Sequence, residues 1–376
     1  MVLCVFYSAS ALSNLFLTAE IVSRLGTRLA FSLSFFLYIL FIASHIRLVS
    51  WVIFLASALS GIGSGILWTA HGVYMSEIST TESIGYLTGL FYSIYQLNQV
   101  FGNLVAATLF ALSVNVQVFY LVFSLIALSS LICVVFLVKY KPTTTRSSFT
   151  LIEPEKPRDR PDMPSCLLTL RLFSERSFLF TIPLFLAMGM HTAFCFSTWT
   201  QSIPSRSLLG WVLLTFGLTN VLASYSSGKL AQSLASPRQQ SFLLFIALVA
   251  VLSGLSIFSF FPHIEYWTFF LTSIFFAISD AAAKVYSYTL IRILAPSHQE
   301  NAFAFSSSLQ ACATAIGFFL STILGNSYMA LLLASSYSMG FIGVLTLLHY
   351  CMAPVFRTDG EGCADCGHCW NPARSK

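Results

Sequence analysis

Asp280 and Lys284 stand four residues apart in a stretch, 267–291, that carries no other charge. A helix puts residues i and i+4 on one face at pairing distance. Ser273 and Ser287, seven residues away on either side, extend the same stripe by nearly two turns. A charged side chain in hydrocarbon costs at least about 2.5 kcal/mol, so the pair needs a reason to be there. One reason is a cavity-facing pair that binds a charged solute or a coupling ion. The other is a pair that neutralises itself and fixes how helices pack. His71 shares a face with Ser64 and, less closely, Trp68, while His191 aligns with Cys195 and Thr198. Imidazole exchanges a proton near neutral pH, which suits proton coupling; a hydrogen-bonded packing role is the alternative. From Gly85 onward, Gly89, Tyr92, Gln96, Gln99 and Asn103 fall on one narrow stripe. Amides in lipid need partners, so this face points into a bundle, for interhelical hydrogen bonds or for contact with a solute.

The elements that position these residues are membrane helices. Of the 376 residues, 56% are hydrophobic and 9% charged, against roughly 25% charged in a soluble domain. Such a chain cannot cover its surface with polar groups, so lipid must solvate much of it. Crossing a hydrocarbon core takes roughly 20 apolar residues. Eleven stretches meet that expectation: 2–19, 29–46, 51–75, 86–112, 117–138, 178–200, 208–228, 240–260, 266–290, 302–324 and 328–352. The expected fold class is therefore an all-α polytopic membrane protein in a group of five and a group of six helices. The lipid bilayer is its first partner.

Charge placement gives a topology. With residues 139–176 in the cytoplasm and the spans alternating from there, 16 of the 19 Lys/Arg fall inside, among them Arg24, Arg28, Lys229, Arg238 and Arg292. Only Arg47 and Arg206 fall outside, and Lys284 lies within a span. This is the positive-inside bias, with the central loop and the C-terminus cytoplasmic. The segment 139–176 holds five prolines, Pro142, Pro154, Pro157, Pro161 and Pro164, among mixed charges. It reads as a flexible linker that cannot fold independently. The expected organisation is an N-terminal bundle at 1–138, the linker at 139–176, a C-terminal bundle at 177–353 and a Cys-rich tail at 354–376.

Cysteines within or beside the spans behave as small hydrophobes rather than as an oxidised framework. In the tail, Cys363, Cys366 and Cys369 with His368 supply the ligand number of tetrahedral zinc. His368 abuts Cys369, which makes joint ligation awkward, and palmitoylation or a disordered tail is the competing reading. No phosphate loop, nucleophile triad or nucleic-acid surface is present in the sequence. No enzyme, cofactor or nucleic-acid partner is therefore expected.

Two motifs carry a resemblance. Arg24-Leu25-Gly26-Thr27-Arg28 looks like the cytoplasmic turn between helices 2 and 3 of the major facilitator superfamily, with Gly26 permitting the turn. Basic residues flanking a short inside turn also follow from the charge bias alone. More specific is Gly61-Ile62-Gly63-Ser64-Gly65-Ile66-Leu67-Trp68-Thr69-Ala70-His71-Gly72-Val73-Tyr74. It resembles the uncoordinated-93-like family of that superfamily, where small residues precede Leu-Trp-Thr-Ala-Gln-Gly-Asn-Tyr. Phe101-Gly102-Asn103, Ser279-Asp280-Ala281 and Ser13-Asn14-Leu15 resemble further family segments, so the likeness runs through nearly the whole chain. His71 stands for the family's Gln, Val73 for its Asn, and Lys284 occupies a position that is usually uncharged. The resemblance implies a major facilitator fold beginning at the family's second helix, as in a truncated or spliced form. It also implies that His71, His191 and Asp280 lie on cavity-lining helices. Two functions follow: a secondary transporter of a small solute, with or without a proton, or a non-transporting regulator or trafficking partner of a channel or receptor.

Overall fold

The computed structural model describes residues 2–80, 83–112, 114–135, 165–234, 236–260, 266–295 and 298–350. The first half contains α1 (Val2–Phe16), α2 (Thr18–Ser44), α3 (Ser50–Ile78), α4 (Ile84–Ala111) and α5 (Val116–Val135). Two short helices follow, α6 (Ser165–Arg171) and α7 (Arg176–Leu179). Then come α8 (Ile182–Phe194), which runs on through a π-turn at Cys195–Trp199, α9 (Arg206–Ser233), α10 (Pro237–Phe260), α11 (Trp267–Leu294), α12 (Gln299–Leu320) and α13 (Asn326–Tyr350).

Among the described residues, nine helical spans are long and apolar enough to cross a membrane, against the eleven expected. The two that fall short have separate causes. Helix α1 has 15 residues, below the roughly 20 that a bilayer core takes. Helix α4 has 28, but Gln96, Asn98, Gln99 and Asn103 lower the hydropathy of its middle. A second correction concerns the linker. Its end, expected to lack structure, forms α6, which packs against α12, α1 and α2. Leu168, Thr169 and Leu172 are buried there, and Asn301 Nδ2 donates to Thr169 Oγ1 at 3.0 Å. The segment does not fold by itself; it docks its apolar side onto membrane helices. Residues 139–164 of the linker and the tail, with Cys363, Cys366 and Cys369, lie outside the described residues.

The turn at Gly26 forms within α2. Gly26 has φ 73° and ψ 165°, a conformation that interrupts the helix and that is nearly restricted to glycine. Arg24 and Glu20 pair one turn before it. Gly26→Ala is expected to destabilise the protein by about 1–3 kcal/mol, although no atom crowds the site. Thermal unfolding in detergent checks this; an unchanged midpoint would mean the turn relaxes without strain.

Each half has its own packed interior. The C-terminal half holds a large apolar core around Trp199, Phe276, Tyr286 and Tyr337. The N-terminal half holds a small one around Val22, Phe31 and Ile66. The halves meet most extensively where α4 crosses α9 and where α1 crosses α12. Small residues make the first crossing possible: a Cβ on Gly89 would lie 2.5 Å from Gly228 Cα. At the second, Ser308 Oγ donates to the Ala11 carbonyl at 3.0 Å and Tyr7 stacks on Phe318. Arg292 of α11 adds a third tie. Its Nη2 donates to the Ser79 carbonyl at 2.9 Å and its Nη1 to the Ser76 carbonyl. These carbonyls end α3, where the helix dipole favours a cation.

Candidate functional site

A cavity of about 530 Å³ lies between the halves. Helix α11 supplies its charge. Lys284 Nζ sits 2.7 Å from Asp280 Oδ2, and the two side chains are 23% and 12% exposed. Asn220 of α9 donates from Nδ2 to the same carboxylate oxygen at 2.8 Å. Ser224 Oγ in turn donates to Asn220 Oδ1 at 3.0 Å, fixing the amide's orientation. One carboxylate oxygen thus takes two donors from two helices. The Lys284 ammonium also lies 5.3 Å from the centre of the Tyr92 ring on α4, within cation–π range. An ammonium has three donors, and only one of them is directed at Asp280.

From Tyr92 a hydroxyl chain crosses between the halves. Tyr92 Oη donates to Tyr288 Oη at 3.3 Å. That leaves the Tyr288 proton free to point at His71 Nδ1, 3.0 Å away. His71 is buried behind the cavity wall instead of lining it, and its Nε2 has no hydrogen-bond partner among the described residues. His191 does line the cavity, with Nδ1 held 3.1 Å from Tyr337 Oη and Nε2 likewise unpartnered. The two imidazoles therefore have parallel arrangements: one nitrogen on a tyrosine and the other without a side-chain partner among the described residues.

The amide stripe of α4 divides. Gln96 and Gln99 line the cavity. Asn103 does not; its Nδ2 donates to the Gln99 carbonyl at 2.7 Å, which satisfies it within its own helix. Of the serines on the Asp280 stripe, Ser287 reaches the cavity, and Ser273 is spent on the Val212 carbonyl at 3.0 Å.

The motif of α3 acts through packing. Gly61 faces the Phe6 carbonyl of α1, and a Cβ on Gly65 would lie 2.6 Å from Ser13 Oγ. Gly72 gives room to the Phe303 ring of α12. Thr69 Oγ1 donates to Asn14 Oδ1 at 3.3 Å, so Ser13-Asn14 of α1 is tied to the same motif. Tyr74 meets Phe31 edge-on at 6.3 Å, and Leu67 packs beside the small core. Trp68 alone in the motif presents a large side chain to the cavity, stacked 6.3 Å from Tyr92. Arg24, Gly26 and Arg28 lie on α2, away from this centre.

Asn220, Tyr288 and Tyr337 complete the site but do not stand out in the sequence. Asn220 carried a readable signal, an amide within an apolar run, which in lipid demands a partner. The tyrosines carried none, since 15 are spread along the chain. Among the described residues no group of three His, Cys, Asp or Glu could hold a metal ion.

Comparison with known proteins bears on the family and the fold. The family described as ion channel regulatory protein UNC-93 matches residues 1–346. Protein unc-93 homolog A of Bos taurus is 24% identical over 374 residues, covering 86% of this chain and 79% of that protein. The UNC93-like protein MFSD11 of Xenopus laevis is 34% identical over 102 residues, 27% of this chain and 23% of that protein. The match thus spans about a quarter of the MFSD11 length. Among solved structures, the human organic anion transporter MFSD10 superposes with a TM-score of 0.62 at 18% identity, covering 91% of this chain and 83% of that one. The fucose:proton symporter FucP of E. coli gives 0.62 at 15% identity, with 92% and 97% covered. These likenesses show the fold: an all-α polytopic membrane protein of the major facilitator type.

Proposed function

The chain belongs to the UNC-93 family of ion channel regulatory proteins, and from that footing we propose that its central cavity binds and moves a small polar solute by alternating access of the two halves. The observation that carries the reading is the Asp280–Lys284 pair at the inter-half boundary. Its ammonium retains donors for a solute acceptor group, and Gln96, Gln99 and Ser287 supply neutral polar contacts nearby. Asp280 and Asn220 hold the ammonium in place, while Tyr92, on the opposing half, closes over it. A solute that bridges Lys284 and the α4 amides touches both halves at once, and alternating access requires that coupling. His191 borders the same space and could carry a coupled proton. The loop ends that bear Arg24, Arg28 and Arg292 face the cytoplasm in this reading.

The test is uptake by purified protein in proteoliposomes, across a panel of small polar metabolites, with and without a pH gradient. Saturable uptake of one solute class, lost in Lys284→Met, is the expected result. Absence of uptake across the panel in both conditions sinks the transport reading. A second reading is favoured by the family match itself: regulation or trafficking of a membrane channel or receptor, with the cavity serving assembly rather than flux.

A further inference from the structure

The pair on α11 is laid out to receive two charges at once. Lys284 Nζ donates to Asp280 Oδ2, and so does Asn220 Nδ2. Both donors end on one oxygen, so Oδ1 receives neither, although a carboxylate accepts through both oxygens. Ser224 Oγ donates to Asn220 Oδ1, which keeps the amide from turning its own oxygen onto the carboxylate. The ammonium is the complement. One of its three donors goes to Asp280, and its other side lies toward the Tyr92 ring. An acceptor and a donor thus stand side by side on residues that both line the cavity.

Charge balance narrows what fits. Among the described residues that line the cavity, Asp280 and Lys284 are the only Asp, Glu, Lys or Arg. Together they sum to zero. A singly negative solute meets Lys284 but lies against the Asp280 carboxylate, and a singly positive one does the reverse. Either brings a net charge to membrane depth, where an uncompensated charge is costly. A zwitterion adds no net charge and gives each member of the pair a counter-charge. Since Nζ and Oδ2 are 2.7 Å apart, the two charges of the solute must be equally close neighbours, as they are in an α-amino acid.

We propose that this site takes an α-amino acid zwitterion with a large apolar side chain. Its carboxylate lies on the Lys284 ammonium and its ammonium on Asp280 Oδ1. Tyr288, one turn from Lys284, has its ring centre 5.8 Å from that of Tyr92 and 5.1 Å from that of Phe303. All three rings line the cavity, and this wall gives apolar area and ring contacts to the side chain. The inference rests on the cavity being a solute site and names the class of solute. Alternating access holds for any class, so the two can fail separately.

The experiment measures equilibrium binding of tritiated L-phenylalanine to the full chain in nanodiscs by scintillation proximity, which requires no flux. Three competitors dissect the charges. 3-Phenylpropionate lacks the ammonium, phenethylamine lacks the carboxylate, and 4-(aminomethyl)benzoate puts the ring between the two. Saturable binding is expected, with each competitor about tenfold or more weaker than unlabelled phenylalanine, because each loses at least one charge-assisted hydrogen bond. Binding is expected to vanish in Lys284→Met and in Asp280→Ala/Lys284→Met. The double variant, which removes both charges and melts like the wild type, separates loss of the site from loss of the fold. Any competitor as effective as phenylalanine overturns the proposal, as does binding that survives in the double variant. Absence of saturable phenylalanine binding also overturns it, and leaves the transport reading to the uptake panel.

Discussion

Asp280→Ala is expected to destabilise the protein by about 3–5 kcal/mol, because it strands a largely buried ammonium without its counterion, and to abolish solute uptake. The double variant Asp280→Ala/Lys284→Met separates the two effects. Removing both charges from a buried pair is often neutral or stabilising when the space is refilled with apolar groups. The melting point of the double variant should therefore return close to that of the wild type. Uptake should not return, since no ammonium remains for a solute. Asp280→Asn sits between the two: the side chain keeps its size and still meets Asn220, but Lys284 loses its countercharge. If the double variant recovers both stability and uptake, the pair only organises packing and the binding site lies elsewhere in the cavity.

That alternative was visible in the residue spacing itself, which gave a paired charge on one helix and nothing to say what else met it. The missing information lay in sequence-distant helices. Asn220, 60 residues away, completes the carboxylate, and Tyr92, on the other half, faces the ammonium. Hydropathy and charge were sufficient for the membrane class and for the division into two groups of helices. The family motif on α3 was readable as a string of small residues, but its purpose was not. Gly61, Gly65 and Gly72 face three different neighbours on α1 and α12, and only the assembled bundle shows which. His71 illustrates the limit of helical-face reasoning. It shares a face with Ser64, yet Ser64 reaches the cavity and His71 stops at Tyr288 behind it. Helix α6 illustrates another. Seven residues at the end of a proline-rich segment gave no span-length signal, and their order comes from docking onto α12, α1 and α2.

Gly89→Leu is expected to have the second largest effect, through the contact that holds the halves together. Adding a Cβ at Gly89 places it 2.5 Å from both Gly228 Cα and the Ser224 carbonyl oxygen of α9. Both obstacles are backbone, so no side chain can swing aside and α4 must withdraw from α9. Overpacking of this kind costs typically about 1–3 kcal/mol, and a leucine exceeds what the methyl of alanine already violates. The withdrawal also moves Tyr92, three residues along the same helix, away from Lys284 and Tyr288. Uptake should therefore fall along with stability, and Gly228→Leu should behave alike, since its own Cβ would meet Gly89 Cα at 2.9 Å. Gly102→Leu provides the control on the same helix. No atom lies within 4 Å of a Cβ there, so the change should stay within about 0.5 kcal/mol of wild type. Melting curves and uptake of the three variants decide the matter. Equal losses at Gly89 and Gly102 would mean that α4 tolerates no leucine anywhere along its length, and the α4–α9 crossing would lose its claim to be the close seam on which the two halves move.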